Sequence, residues 1–366
     1  MKSKGSLSRR DFLKLTTATG AGILASRYFF NISKAYGADF PRTGNINPFI
    51  PNTYVAYITD KKMTNGAIIR DWFNQNKATN SDLVGQNMDK LVCALSKEKD
   101  AGKAWRKMFT LPEGKKWEDV NIAIKTNNIA EQHTRNAVMT KVCNVLVKGF
   151  GVKGANVHIY DACHGGDMNK KSPFENLPEG VKIEGSWGGF TTEVDVPEPY
   201  GQKVKCVQSL TGNDIDILIN IAMCKGHSGE FGGYTMTMKN HFGTFNPRHG
   251  HQANGLGFLT GLNKSKAILG EVDYKTGKIF KPRQQLCIID ALWSSEPGPG
   301  GPPTHCTNTI FMGTCSPILD YMVAMNFRKD VMKWRVNETA AERFLTDFGY
   351  TKNNIEKEGQ YINAAA

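Results

Sequence analysis

Residues 216–251 run DILINIAMCKGHSGEFGGYTMTMKNHFGTFNPRHGH, an isoleucine-rich apolar segment that stops abruptly in a cluster of polar groups. From 215 to 223 only Asp216 and Asn220 interrupt the apolar residues. A continuous apolar run of strand length is the mark of a strand buried on both faces, as in a parallel sheet. The chain then supplies Cys224, Lys225, His227, the Gly232-Gly233 pair, Lys239, Asn240, His241, His249 and His251. Four of the eight histidines fall between 227 and 251. Open α/β sheets bind ligands beyond the carboxyl ends of their strands, so function is sought here first.

The same pattern recurs on either side. Residues 120–128 (VNIAIKTNN) predict a strand ending in Lys125, Asn127 and Asn128. Residues 136–147 carry a helical stripe (Val138, Met139, Val142, Leu146) closed by Gly149 and Gly151. Residues 156–167 (NVHIYDACHGGD) predict a second strand, ending in Asp161, Cys163, His164 and Asp167. Strand, helix and strand at this spacing form a parallel βαβ unit with a right-handed crossover. Residues 286–292 (LCIIDAL) read as another buried strand, ending at Asp290 and leading into PGPGGPP at 297–303. The expected fold is therefore α/β, a mostly parallel central sheet with helices on both faces, in one large domain with irregular inserts.

Outlying segments fill in that frame. Residues 53–59 alternate as a first strand, and 83–95 form a helix entered through Asn80-Ser81. Residues 172–199 read as an irregular insert, and 203–210 as a further strand. A helix is predicted at 254–269, and a hairpin turns at Lys275-Thr276-Gly277. A short strand at 309–313 and helices at 317–327 and 338–348 follow, and the tail after Lys352 reads as loosely held.

The formal charge of +12 overstates how basic the chain is. Residues 1–37 hold seven basic side chains against one acid, so about +6 remains for the rest. No basic run with interleaved aromatics follows, which argues against nucleic-acid binding. Ser8-Arg9-Arg10-Asp11-Phe12-Leu13-Lys14 matches the twin-arginine export pattern, with a mild apolar stretch at 15–26 behind it. Cleavage falls after Ala35 or Gly37, and with the second the mature domain is 38–366. The expected partner is the twin-arginine translocase, and the expected location is periplasmic or extracytoplasmic. No later stretch approaches the ~18 apolar residues of a spanning helix. Twin-arginine passengers cross already folded, often with a cofactor in place, which favours a bound group. The eight cysteines include no Cys-x-x-Cys, so local spacing encodes neither an iron–sulfur cluster nor a zinc ribbon.

In a parallel sheet the polar groups that follow the strands lie on one edge and converge on one crevice. One chemistry for that crevice is metal ligation. His164, His227 and His241, with His249, His251, Cys163 and Cys224 nearby, offer donors suited to zinc, iron, copper or nickel. The other is a small anionic ligand held by Lys225 and Lys239, with backbone N–H groups at the start of a helix after Gly232-Gly233. Neither phosphate-loop nor dinucleotide glycine spacing is present. Nucleophilic catalysis by Cys163 or Ser228 lacks a supporting motif.

The order VNIAIKTN, VHIYDA, LINIAMCKGHSG…YTMTMKNHFGTF and LCIIDAL…GPGGPP resembles the domain of unknown function 362 family over residues 54–327. Its most specific part is Lys225-x-His227 followed by Thr235-x-x-x-Lys239-Asn240-x-x-Gly243. The resemblance implies an α/β fold and shared polar positions at Lys125, Asn127, Asp161, Lys225, His227, Lys239, Asn240 and Asp290, with no established reaction. The chain lacks the ferredoxin cysteines that accompany some members. It also has Ser316-Pro317 where Asp-Pro is usual, four residues before Asp320.

Two functions follow as expectations. The first is an exported metal- or cofactor-dependent enzyme, redox in character. There Asp161, Lys225 and Asp290 are catalytic, Lys125, Asn127, Lys239 and Asn240 hold the cofactor, and His164, His227 and His241 hold the metal. The second is an accessory protein that binds a metal or anion without chemistry.

Overall fold

The structure, a computed structural model, describes residues 40–129, 132–162, 174–211, 214–251 and 254–365. Its frame is an eight-stranded sheet. In chain order the strands are β1 (Tyr54–Thr59), β2 (Ile122–Lys125), β3 (Val157–Tyr160), β4 (Lys182–Gly185), β5 (Ile217–Met223), β6 (Gln284–Ser294), β7 (His305–Gly313) and β8 (Gln360–Asn363). In space they lie β8-β1-β7-β6-β5-β2-β3-β4. Five of the seven pairings are parallel, and only the two made by β7 are antiparallel. The sheet is mixed but mostly parallel, as the apolar run of β5 predicts; all seven residues of that strand are buried.

Alternation along the central strands builds a core on each face. Ile217, Ile219 and Ile221 face the side packed by helix α1 (Ser81–Ser96) and helix α2 (Asn136–Asn144). Leu218 faces the other side, with helices α3 (Gly255–Lys264), α4 (Ser316–Met322) and α5 (Glu338–Thr346). α1 starts where its sequence says it should. The Asn80 side chain accepts from the Leu83 N–H, satisfying a donor the helix itself cannot. Among the described residues no helix is long and apolar enough to cross a membrane.

Two expectations change. Residues 172–199 are more than an irregular insert, since they supply the edge strand β4 and the ribbon strand Phe190–Val196, which pairs antiparallel with Gln202–Val207 outside the main sheet. Phe190–Val196 is half exposed, so it lacks the apolar run that marks a sheet strand. The tail is not loosely held. Lys352–Glu358 is a helix with a capping box at Thr351, and β8 then pairs parallel with β1.

Candidate functional site

Three parallel strands, β5, β2 and β3, lie side by side; β2 and β3 end level, and β5 runs on to Met223. Lys125, the last residue of β2, pairs with Asn220 of β5 on one side and Tyr160 of β3 on the other. Beyond these ends lies a continuous polar network with almost no exposure. Lys125 Nζ sits 3.2 Å from Asp161 Oδ1, with both side chains fully buried. It also donates to the Thr126 carbonyl at 2.6 Å and to Asn240 Oδ1 at 3.2 Å. The second carboxylate oxygen of Asp161 accepts the Asn128 N–H at 2.8 Å. Asn127 Nδ2 donates to Asn240 Oδ1 at 3.0 Å, and its own Oδ1 accepts Lys225 Nζ at 2.9 Å. Asn240 Nδ2 closes the chain on Asn220 Oδ1 at 2.8 Å and the Ile221 carbonyl at 3.2 Å.

Buried charges are tolerated when paired and hydrogen-bonded, as Lys125 and Asp161 are, and Lys225 is held by the Asn127 amide. Gly243 is part of the construction. A Cβ there would lie 2.1 Å from Asp161 Oδ1 and 2.8 Å from Lys125 Nζ. Gly226 plays the same part beside Lys225, because a Cβ on it would meet the Glu296 carbonyl oxygen at 1.7 Å. The PGPGGPP loop thus packs directly against the Lys-x-His segment.

Lys239 lies at the rim. Its ammonium stands 3.2 Å from the ring centre of Phe242 and 4.5 Å from that of Phe231, a cation–π arrangement, and the residue is buried but for 8% of its surface. His227, half-buried, packs edge-on against the same Phe231 at 5.2 Å. Burial, then Lys239, His251 and Lys225, push its pKa down to about 3, so the ring is neutral at neutral pH. His251 is exposed nearby, its ring 6.1 Å from that of Phe242.

The remaining predicted residues sit elsewhere. Asp290 is fully buried, on the sheet face that also carries Ile288 and Leu292. It accepts the backbone N–H of Arg135 at 2.7 Å and of Leu292 at 3.2 Å. Burial raises its pKa, and Arg135 opposes the rise. Its described hydrogen bonds anchor the entry to α2 and do not join the lysine network. His241 is fully buried at the inner end of the network, beyond Asn220. Its Nε2 lies 2.6 Å from Gln284 Oε1 and 3.0 Å from Asn220 Nδ2, and its Nδ1 lies 3.0 Å from Thr244 Oγ1. Burial pushes its pKa down to about 3. Both ring nitrogens are engaged, which leaves no lone pair directed to a shared metal with His227. His164, with Cys163 and Asp167, lies outside the described residues. Among the described residues no three of His, Cys, Asp and Glu come together as a metal-ligand set.

The expected anion site at a helix start is also corrected. The helix after Gly232-Gly233 is the single turn Thr237–Asn240, and its first N–H groups are already taken. Asp320 Oδ1 accepts the Thr237 N–H at 2.9 Å and the Thr237 hydroxyl at 2.5 Å, and Oδ2 accepts the Met238 N–H at 2.9 Å. A carboxylate of the chain itself occupies the place proposed for a ligand. Thr235, of the family-like motif, lies in the short strand Tyr234–Thr235, ahead of the turn that carries Lys239.

Sequence reasoning missed three contributors. Asn220 is the one polar residue inside the strand span of β5, which is itself a signal. Gly243 stands in the family-like motif, though nothing in sequence says what it touches. Asp320 is four residues from an atypical Ser-Pro and still fixes the turn that carries Lys239 and Asn240.

No curated protein matches the chain. The model of the family described as Domain of unknown function (DUF362) matches residues 122–325, more than half of the chain and the whole of the network from Lys125 to Asn240. The chain belongs to the DUF362 family.

Proposed function

We propose that this protein is an exported binding protein for a small oxyanionic ligand, a carboxylate or phosphate, taken up at the carboxyl edge of β5 and β2. The observation that carries the reading is the setting of His227. Burial chiefly holds this half-buried ring neutral, and the charged neighbours that add to it, Lys239, His251 and Lys225, are all basic; the Lys239 ammonium stands over the same Phe231 ring that His227 packs against. Ammonium groups donate hydrogen bonds and accept none, so a ligand entering among them must bring acceptors and negative charge. The same field opposes a bare metal cation, which makes the anion the better-supported choice between the two ligand chemistries.

Binding without turnover fits the described carboxylates. Asp161 and Asp290, the expected proton-exchanging groups, both accept backbone N–H groups inside the protein. They serve to hold Lys125 and the Arg135 turn in place. Ser8-Arg9-Arg10 and the stretch behind it support delivery through the twin-arginine translocase, and the residues from 38 onward would act outside the cytoplasm.

A thermal-shift panel tests the reading. Phosphate, sulfate, acetate and oxalate should raise the melting temperature with saturation, and zinc, nickel and copper salts at equal concentration should not. Phosphate preferred over oxalate assigns a phosphoryl ligand, and the reverse assigns a carboxylate. Stabilisation by one metal alone, retained with a non-coordinating counterion, overturns the proposal.

A further inference from the structure

The bond between Ser228 and His227 says more than that the loop is ordered. The Ser228 backbone N–H lies 2.8 Å from His227 Nδ1. A backbone N–H only donates, so Nδ1 accepts and carries no proton. In the neutral ring the proton is then on Nε2. The Ser228 hydroxyl, 2.9 Å from the same Nδ1, agrees with this when it donates to that nitrogen in preference to Glu230 Oε1, the longer contact at 3.2 Å. The ring is further held by its edge-on contact with Phe231, the ring over which the Lys239 ammonium also stands.

We infer that His227 serves the site as a neutral hydrogen-bond donor through Nε2, its tautomer fixed by the Ser228 backbone, and that this donor reads one oxygen of the ligand alongside Lys239. This rests on the oxyanion reading and sharpens it. The ligand presents at least two acceptor oxygens, one for an ammonium and one for an uncharged N–H. A single halide lacks this second point of contact and binds more weakly than phosphate or sulfate. Metal ligation through Nε2 requires the proton to move to Nδ1, which breaks the Ser228 bond. His227 is thus a specificity residue for oxyanions and is poorly set up as a ligand for a cation.

The test uses the full chain labelled with nitrogen-15 in histidine, with inorganic sulfate as the probe. Long-range proton–nitrogen correlation should show His227 as the Nε2–H tautomer, and sulfate should shift its Nε2 resonance. His227→Gln, whose amide nitrogen reaches close to the Nε2 position, should keep sulfate affinity within about threefold, whereas the shorter His227→Asn should lose about tenfold. An Nδ1–H tautomer overturns the inference. So does sulfate binding that leaves Nε2 unmoved and is equally strong in His227→Asn. The two levels separate through Lys239→Met. Wild-type protein that binds no sulfate defeats the oxyanion reading itself. Binding lost in Lys239→Met but indifferent to His227 defeats only the role given to the histidine.

Discussion

Asn127 Nδ2 donates to Asn240 Oδ1 at 3.0 Å, joining the residue that follows β2 to the short turn that follows β5. Asn240 Oδ1 also accepts Lys125 Nζ at 3.2 Å, and Asn240 Nδ2 reaches Asn220 and the Ile221 carbonyl. One amide therefore serves two strand ends and a lysine, and the rim residue Lys239 is its immediate chain neighbour.

Replacing Asn240 tests that linkage. Asn240→Ala leaves polar groups of Asn127 and Asn220 short of a partner in a site closed to water. Each such loss costs about 1–3 kcal/mol. Urea unfolding should place the variant at least about 2 kcal/mol below wild type. A midpoint within error of wild type would mean that the network is dispensable.

Gly243 makes a steric prediction. Gly243→Ala places a methyl 2.1 Å from Asp161 Oδ1 and 2.8 Å from Lys125 Nζ, with no room in the buried ion pair. Overpacking of this kind costs about 1–3 kcal/mol. Thermal unfolding should register it, and a Gly243→Ala protein as stable as its parent would contradict the described packing.

The carboxyl-edge placement of Lys125, Asn127 and Lys225 is legible because each closely follows an apolar run of strand length, whereas Asn240 is marked only by the family-like motif. What does not show in sequence is pairing across the chain. Asp290 has the same strand-end signature as Lys125, yet strand alternation puts it on the other face of the sheet, with Arg135. His241 counts as a potential ligand until Gln284, Asn220 and Thr244 are seen around it. β8 is four residues long with no fully buried side chain, so its sequence carries no apolar pattern, and only its ladder with β1 identifies it. Asp320 is legible only once the Thr237–Asn240 turn is known to need an acceptor at its start.

Two buried groups give stability opposite pH slopes. Burial raises Asp320 from 3.8 to about 7, so its contribution is fully present below 3.8 and is lost as pH rises through about 7. Burial lowers His241 from 6.5 to about 3, so its contribution is present above 6.5 and is lost as pH falls toward 3. Between pH 4 and 7 Asp320→Asn should therefore make stability rise more steeply with pH than in wild type. His241→Gln should make it rise less steeply. Melting temperatures across that window decide, and parallel profiles for all three proteins would refute both assignments.

The proposed export rests on the first residues. Residues 1–37 fused to a folded reporter should carry it across the cytoplasmic membrane, and Arg9→Lys with Arg10→Lys should stop transport. Transport by the unfolded route, or none with the native pair, would remove the location from the account.

The central claim is met most directly by titrating phosphate into the full chain by calorimetry and repeating the titration with Lys225→Met. The substitution keeps the side-chain volume and removes a buried positive charge behind the rim. The account predicts one saturable site per chain in wild type and an affinity at least about tenfold lower in the variant, the order expected when a positive charge close behind an anion site is removed. Equal binding by the two proteins, or none by the wild type, would contradict it.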